Sequence, residues 1–160
     1  MKAWVTFVGL LMIVFTCQAR LGEDERQVGE RYGAPKSCTN PTPTNEYRVC
    51  RYQSQGLEIV VRYGTAKQSR DGRSAAGLSL WENYIVPGAF SEDAVQTILN
   101  DNRGTSGWSR GESRVDKDFG NYRLWRTVDR GRIARLFTRQ DGKRELTIEW
   151  IDVAPPPTGF

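Results

Sequence analysis

The first residue type to look for in an active site is missing here, because the 160 residues contain no histidine. That removes Ser-His-Asp and Cys-His nucleophile arrangements and any imidazole metal site. Carboxylates remain for acid or base work. Asp116 and Asp118 stand two apart, but Asp-Lys-Asp lacks the dense oxygen ligands of a calcium loop and reads as a solvated turn. Glu145 and Glu149 lie at even spacing in an alternating run, so both face one side of a strand. With arginines nearby, they read as members of cross-strand ion pairs rather than as a glycosidase pair. Glycines fall singly at turns, with no phosphate-cradling loop, so no cofactor is expected. A carboxylate-dependent enzyme stays an alternative, with no catalytic residue to name.

The cysteines and arginines carry more information. Cys38 and Cys50 flank a Pro/Thr-rich stretch, and in an exported chain they pair most simply as a disulfide; two free thiols holding a metal are the alternative. From Asn102 to Glu145 there are 12 Lys/Arg against 6 Asp/Glu. Arg110, Arg114, Arg123, Arg126, Arg132, Arg135 and Arg139 are the candidate members of a basic face. Such a face either binds a polyanion or is simply a solvated side of a sheet. Trp108 and Tyr122 sit in the same region and are of types favoured at protein interfaces. A buried structural role is the alternative for Trp108.

Strands are needed to hold these residues. The run from Tyr122 to Trp150 alternates apolar positions and is divided by Gly131 and by Asp141-Gly142, the preferred pair for a two-residue hairpin turn. It predicts three antiparallel strands. Around Gly131 two registers compete, one turning Ile133 and Phe137 inward and the other Ala134 and Leu136. Earlier, Tyr47–Tyr52, Leu57–Tyr63 and Ala75–Ile85 predict three more strands, punctuated by Gln55-Gly56 and Asp71-Gly72, and the Val/Ile centre of the second implies burial on both faces. Two helices precede these groups. One opens near Gly22 and stops at Gly33 and Pro35, with Leu21, Val28 and Tyr32 as its apolar face. The other opens at Ser91, with Phe90 and Val95 placed for a hydrophobic staple and Val95, Ile98 and Leu99 forming its stripe.

Helix and strands recur in the same order, so the expected fold is α+β, a tandem duplication of a short helix followed by a three-stranded antiparallel meander. The helices would pack on one face of the sheet. The units would run from 20 to 86 and from 87 to 153, with a Pro-rich tail from 154 to 160. Trp81, Trp125, Phe137 and Trp150 would supply much of the core.

The first 19 residues read as a signal peptide: Lys2, an uncharged apolar run from Ala3 to Cys17, and a small residue at Ala19. The expected location is secreted or periplasmic, with no membrane span after signal removal. An uncleaved anchor and a lipid-modified Cys17 use the same residues and remain alternatives. Over the whole chain 23 Lys/Arg stand against 19 Asp/Glu, a net of +4 that loss of Lys2 lowers by one. No specific nucleic-acid motif accompanies this mild excess.

The opening Leu21-Gly22-Glu23-Asp24-Glu25 with Arg31-Tyr32-Gly33-Ala34-Pro35, the strand beginning Gly56-Leu57-Glu58, and the helix start Phe90-Ser91-Glu92-Asp93 resemble a group of small exported bacterial proteins of unknown function. The architecture expected for the mature chain also resembles, distantly, the β-lactamase inhibitor protein and the small outer-membrane assembly lipoproteins. These likenesses imply export and a fold, but no activity. The functional expectation is a non-catalytic exported module that binds an unknown protein partner or helps an envelope assembly. The alternative is a polyanion or membrane-surface binder acting through the arginines.

Overall fold

The strands Ser79–Val86 and Arg144–Trp150 pair antiparallel with Leu146 opposite Tyr84, and this ladder joins the two halves of the chain into one sheet. The computed structural model describes residues 20–66, 68–70, 73–117 and 120–151. The signal segment, the Asp71-Gly72 turn, Asp118 and the Pro-rich tail lie outside the described residues. Element order is α1 (Glu25–Tyr32), β1 (Ser37–Thr39), β2 (Arg48–Ser54), β3 (Leu57–Tyr63), β4 (Ser69–Arg70), β5 (Arg73–Ser74), β6 (Ser79–Val86), α2 (Glu92–Asp101), β7 (Glu112–Asp116), β8 (Gly120–Arg126), β9 (Arg132–Thr138) and β10 (Arg144–Trp150). Eight strands form one antiparallel sheet in the order β1-β2-β3-β6-β10-β9-β8-β7, and β4 with β5 form a small ribbon apart from it.

The expected tandem of two helix-plus-three-strand units is therefore corrected. Four strands from each half contribute to the large sheet, and the halves share one ladder and one core, so an internal duplication is not supported. The additional strands are the edges, β1 and β7. β1 has three residues, and β7 reads Glu-Ser-Arg-Val-Asp with its first four residues exposed. Neither shows the apolar alternation by which a strand is recognised. The middle strands behave differently: Ile59, Val60 and Val61 are all buried, as their sequence implied for β3.

Both helices pack on one face. Asp24 caps α1, accepting from the Gln27 amide at 2.8 Å while the Gln27 side chain accepts from the Asp24 amide at 3.0 Å. This reciprocal capping box places the helix start two residues after the expected Gly22 cap. Gly33, at φ 85°, ends the helix. In α2 the Ser91 hydroxyl accepts from the Ala94 amide at 3.1 Å, and Val95, Ile98 and Leu99 are buried. These residues join Val28, Tyr32, Tyr52, Ile59, Val61, Tyr84, Trp125, Ala134, Leu136, Leu146 and Ile148 in one continuous core.

The ladders settle the faces. Leu136 lies opposite Leu146, and Ala134 opposite Ile148, so Ala134 and Leu136 face the helices while Ile133 and Phe137 face away. Of the four aromatics expected in the core, Trp125 is fully inside and Trp150 packs against it half-buried. Trp81 and Phe137 have the opposite parity and lie on the other face.

Turn chemistry matches the hairpins with one difference. Gln55 and Gly56 both have positive φ, the conformation of a two-residue turn between β2 and β3. Between β9 and β10 the Arg139 amide donates to the Lys143 carbonyl at 2.8 Å, so three residues, 140 to 142, make the loop. Gly142, at φ 78°, supplies its left-handed position, and the expected two-residue Asp-Gly turn is corrected to this longer form.

Candidate functional site

The helices cover one face of the sheet and leave the other open. Strand alternation brings Arg51, Val60, Asn83, Thr147, Arg135 and Leu124 side by side across six strands, flanked by a row of Val49, Arg62, Trp81, Glu149 and Ile133. Val60, Ile85, Leu124 and Ile133 are buried on this face without belonging to the helix-side core. Long polar side chains stand among them. The Arg62 guanidinium lies 3.7 Å from the centre of the Trp81 ring, a cation–π contact. Arg51 pairs with Glu58 at 2.7 Å, Arg135 with Glu149, and Arg139 with Glu145 at 3.2 Å. Glu145 and Glu149 thus take part in the ion pairs their spacing implied.

A hollow of about 860 Å³ opens on this face between the loop at Thr44–Tyr47 and the β9–β10 hairpin, with Val60, Trp81, Asn83 and Ile85 among its lining. Asn83 and Glu145 are each only 5 % exposed. The Asn83 amide group donates to a Glu145 oxygen, and Thr147 approaches the same oxygen at 3.5 Å. Burial pushes the Glu145 carboxyl above its ordinary range, while Arg139, Asn83 and Thr147 pull it back. The Asn83 carbonyl oxygen is buried without a hydrogen-bond partner. Sequence reasoning missed Asn83, Trp81 and Arg62 as a group, although Trp81, Asn83 and Ile85 share one parity in a strand otherwise read as core.

The seven candidate arginines do not form one face. Arg114, Arg126 and Arg135 lie on the open side by register, and Arg139 stands at its hairpin end. Arg123 points to the helix side, where it binds Glu92 of α2 at 2.7 Å. Arg132 reaches the Asn102 carbonyl at the end of α2 and stacks 4.1 Å over Trp150. Arg110 is exposed in the loop before β7. Arg114 pairs with Glu112 at 2.5 Å.

The two aromatic candidates also part. Trp108 is half-buried against the core and donates its indole N–H to the Leu99 carbonyl. Tyr122 is opposite Phe137 on the open face, and both also border a second hollow of about 670 Å³ lined mainly by helix-side residues such as Arg123 and Leu136. Cys38 and Cys50, paired in register on β1 and β2, are joined by a disulfide. The nearby Glu25 carboxylate binds Arg48 at 2.8 Å, so these residues make a braced edge in which the thiols are not available to a metal.

No known protein family, curated protein or solved structure matches this chain.

Proposed function

We propose that this chain is an exported, non-catalytic protein-binding module whose partner seats on the open face of the eight-stranded sheet. The observation that carries this reading is the composition of that face: aromatic and aliphatic side chains interleaved with arginines already matched to glutamates. Trp, Tyr and Arg dominate the energetics of protein interfaces, and pre-paired charges fix orientation without leaving a buried charge exposed to a neutral partner. The disulfide accords with an oxidising compartment. Among the described residues, no helix is long and apolar enough to cross a membrane.

A photo-crosslinking residue placed at Trp81 in the source cell, with one at Glu30 on α1 as control, tests the reading. A discrete protein adduct from position 81 and none from position 30 is the expected result. Equal labelling from both positions, or none from 81, overturns it.

A further inference from the structure

A buried amide oxygen is normally matched by a donor, and the Asn83 carbonyl oxygen, on the central strand β6, has none. Its orientation is not arbitrary. The other end of the carboxamide must donate to the Glu145 carboxylate, which accepts only, so the carbonyl end is held away from Glu145. Asn83 lines the hollow on the open face, with Val60 and Ile85 as apolar floor and Trp81 beside them.

Charge narrows what fits. Glu145 is matched by Arg139, and Glu58 by Arg51. Arg62, Lys143 (held by Asp141 at 3.8 Å) and Glu46 also line the hollow, so it carries four cations and three carboxylates, and an incoming ammonium gains no net attraction there. An incoming carboxylate meets an acceptor oxygen at the floor, beside Glu145. A neutral group with an O–H or N–H avoids both disadvantages.

We infer that the hollow around Asn83 is the specificity pocket of the proposed protein-binding face, and that it takes a neutral hydroxyl or carboxamide side chain projecting from a partner's loop. That side chain donates to the Asn83 carbonyl oxygen, while the loop's apolar atoms pack on Val60, Trp81 and Ile85. The oxygen lies deep enough that rim side chains change rotamer as the loop enters, a common adjustment at interfaces. This inference rests on the protein-docking reading above.

The test uses a displayed library of disulfide-closed random loops, selected on the full chain and measured against variants whose melting matches that of the parent. Selected loops should be enriched in Ser, Thr, Tyr, Asn or Gln at one position and should lose about tenfold or more in affinity on Asn83→Leu. Glu145→Gln frees the carboxamide of Asn83 to turn over, because the introduced side-chain amide both donates and accepts. Loops remade with O-methylserine at that position, a neutral acceptor with no donor, should then bind within about threefold of the donor loops. Loops that bind Asn83→Leu as well as the parent, or that select Asp, Glu, Lys or Arg at the position, overturn the pocket assignment. If such loops still lose affinity on Trp81→Ala, the docking face stands without the pocket. Loops indifferent to Trp81→Ala, or no loops at all, overturn both.

Discussion

Glu82 sits where a carboxylate is costly to keep charged. It is 0 % exposed on the helix side of β6, where the Tyr84 hydroxyl donates to one of its oxygens and the other has no partner. Burial pushes its carboxyl up to about 7, against the pull of Tyr84, Arg31 and Ser79, while Glu23 pushes in the same direction as burial. A carboxyl whose folded value exceeds its unfolded value binds more protons in the folded state. Its stabilising contribution is complete below about 4.5 and is lost as pH rises through about 7. The protein should therefore unfold at a lower temperature at pH 8 than at pH 5. Glu82→Gln, which keeps an acceptor for Tyr84, should flatten that slope, by at most about 3 kcal/mol over the window. Glu145 contributes in the same direction, so some slope should survive in the variant. Melting curves of the parent and Glu82→Gln across this range decide the matter; an unchanged slope removes Glu82 as its source.

At the level of elements, the end of β3 depends on a close approach between backbones. The Gly64 amide donates to the Leu78 carbonyl at 2.9 Å, and a Cβ at Gly64 would come within 2.4 Å of the Ala75 carbonyl oxygen and 2.9 Å of Leu80. The backbone oxygen cannot swing aside as a side chain does, so Gly64→Ala should destabilise by about 1–3 kcal/mol. A lowered denaturant midpoint with unchanged slope is the expected signature; a wild-type midpoint would show that the segment from Ala75 to Leu78 yields freely. Elements whose signals are local were legible beforehand. Ser91 with its acidic first turn and the Val95, Ile98, Leu99 stripe located α2, and the cysteines located the edge brace. β7 was not legible, because an exposed edge strand buries no face and leaves no alternation in its residues. The facing of β9 was equally hidden, since Ile133, Ala134 and Leu136 are all buried and both parities look apolar. The pocket was hidden for another reason: Asn83 acquires its meaning from Glu145, 62 residues away, through a pairing of β6 with β10 that no local pattern announces.

Taken over the whole molecule, the charge distribution bears on how strongly the protein can hold a polyanion. The sequence carries a net of only +4. Its arginine-rich second half is compensated internally: Arg114 by Glu112, Arg123 by Glu92, Arg135 by Glu149, and Arg139 by Glu145 and Asp141. A polyanion must displace these carboxylates before it gains phosphate or sulfate contacts, and the compensated arginines are divided between opposite faces of the sheet. A surface making six to ten phosphate contacts loses about 10³–10⁵ in affinity between 50 and 200 mM salt. This protein should lose less than about tenfold, eluting from heparin where a protein of equal net charge elutes. Removing the partners of two arginines on opposite faces, as Glu92→Gln with Glu112→Gln, should raise retention beyond the two charges added, because Arg123 and Arg114 lose the carboxylates they pair with. Late, steeply salt-dependent elution of the unmodified protein would show that the arginines act together despite their pairing, and would shift the open face from a protein partner to an anionic one.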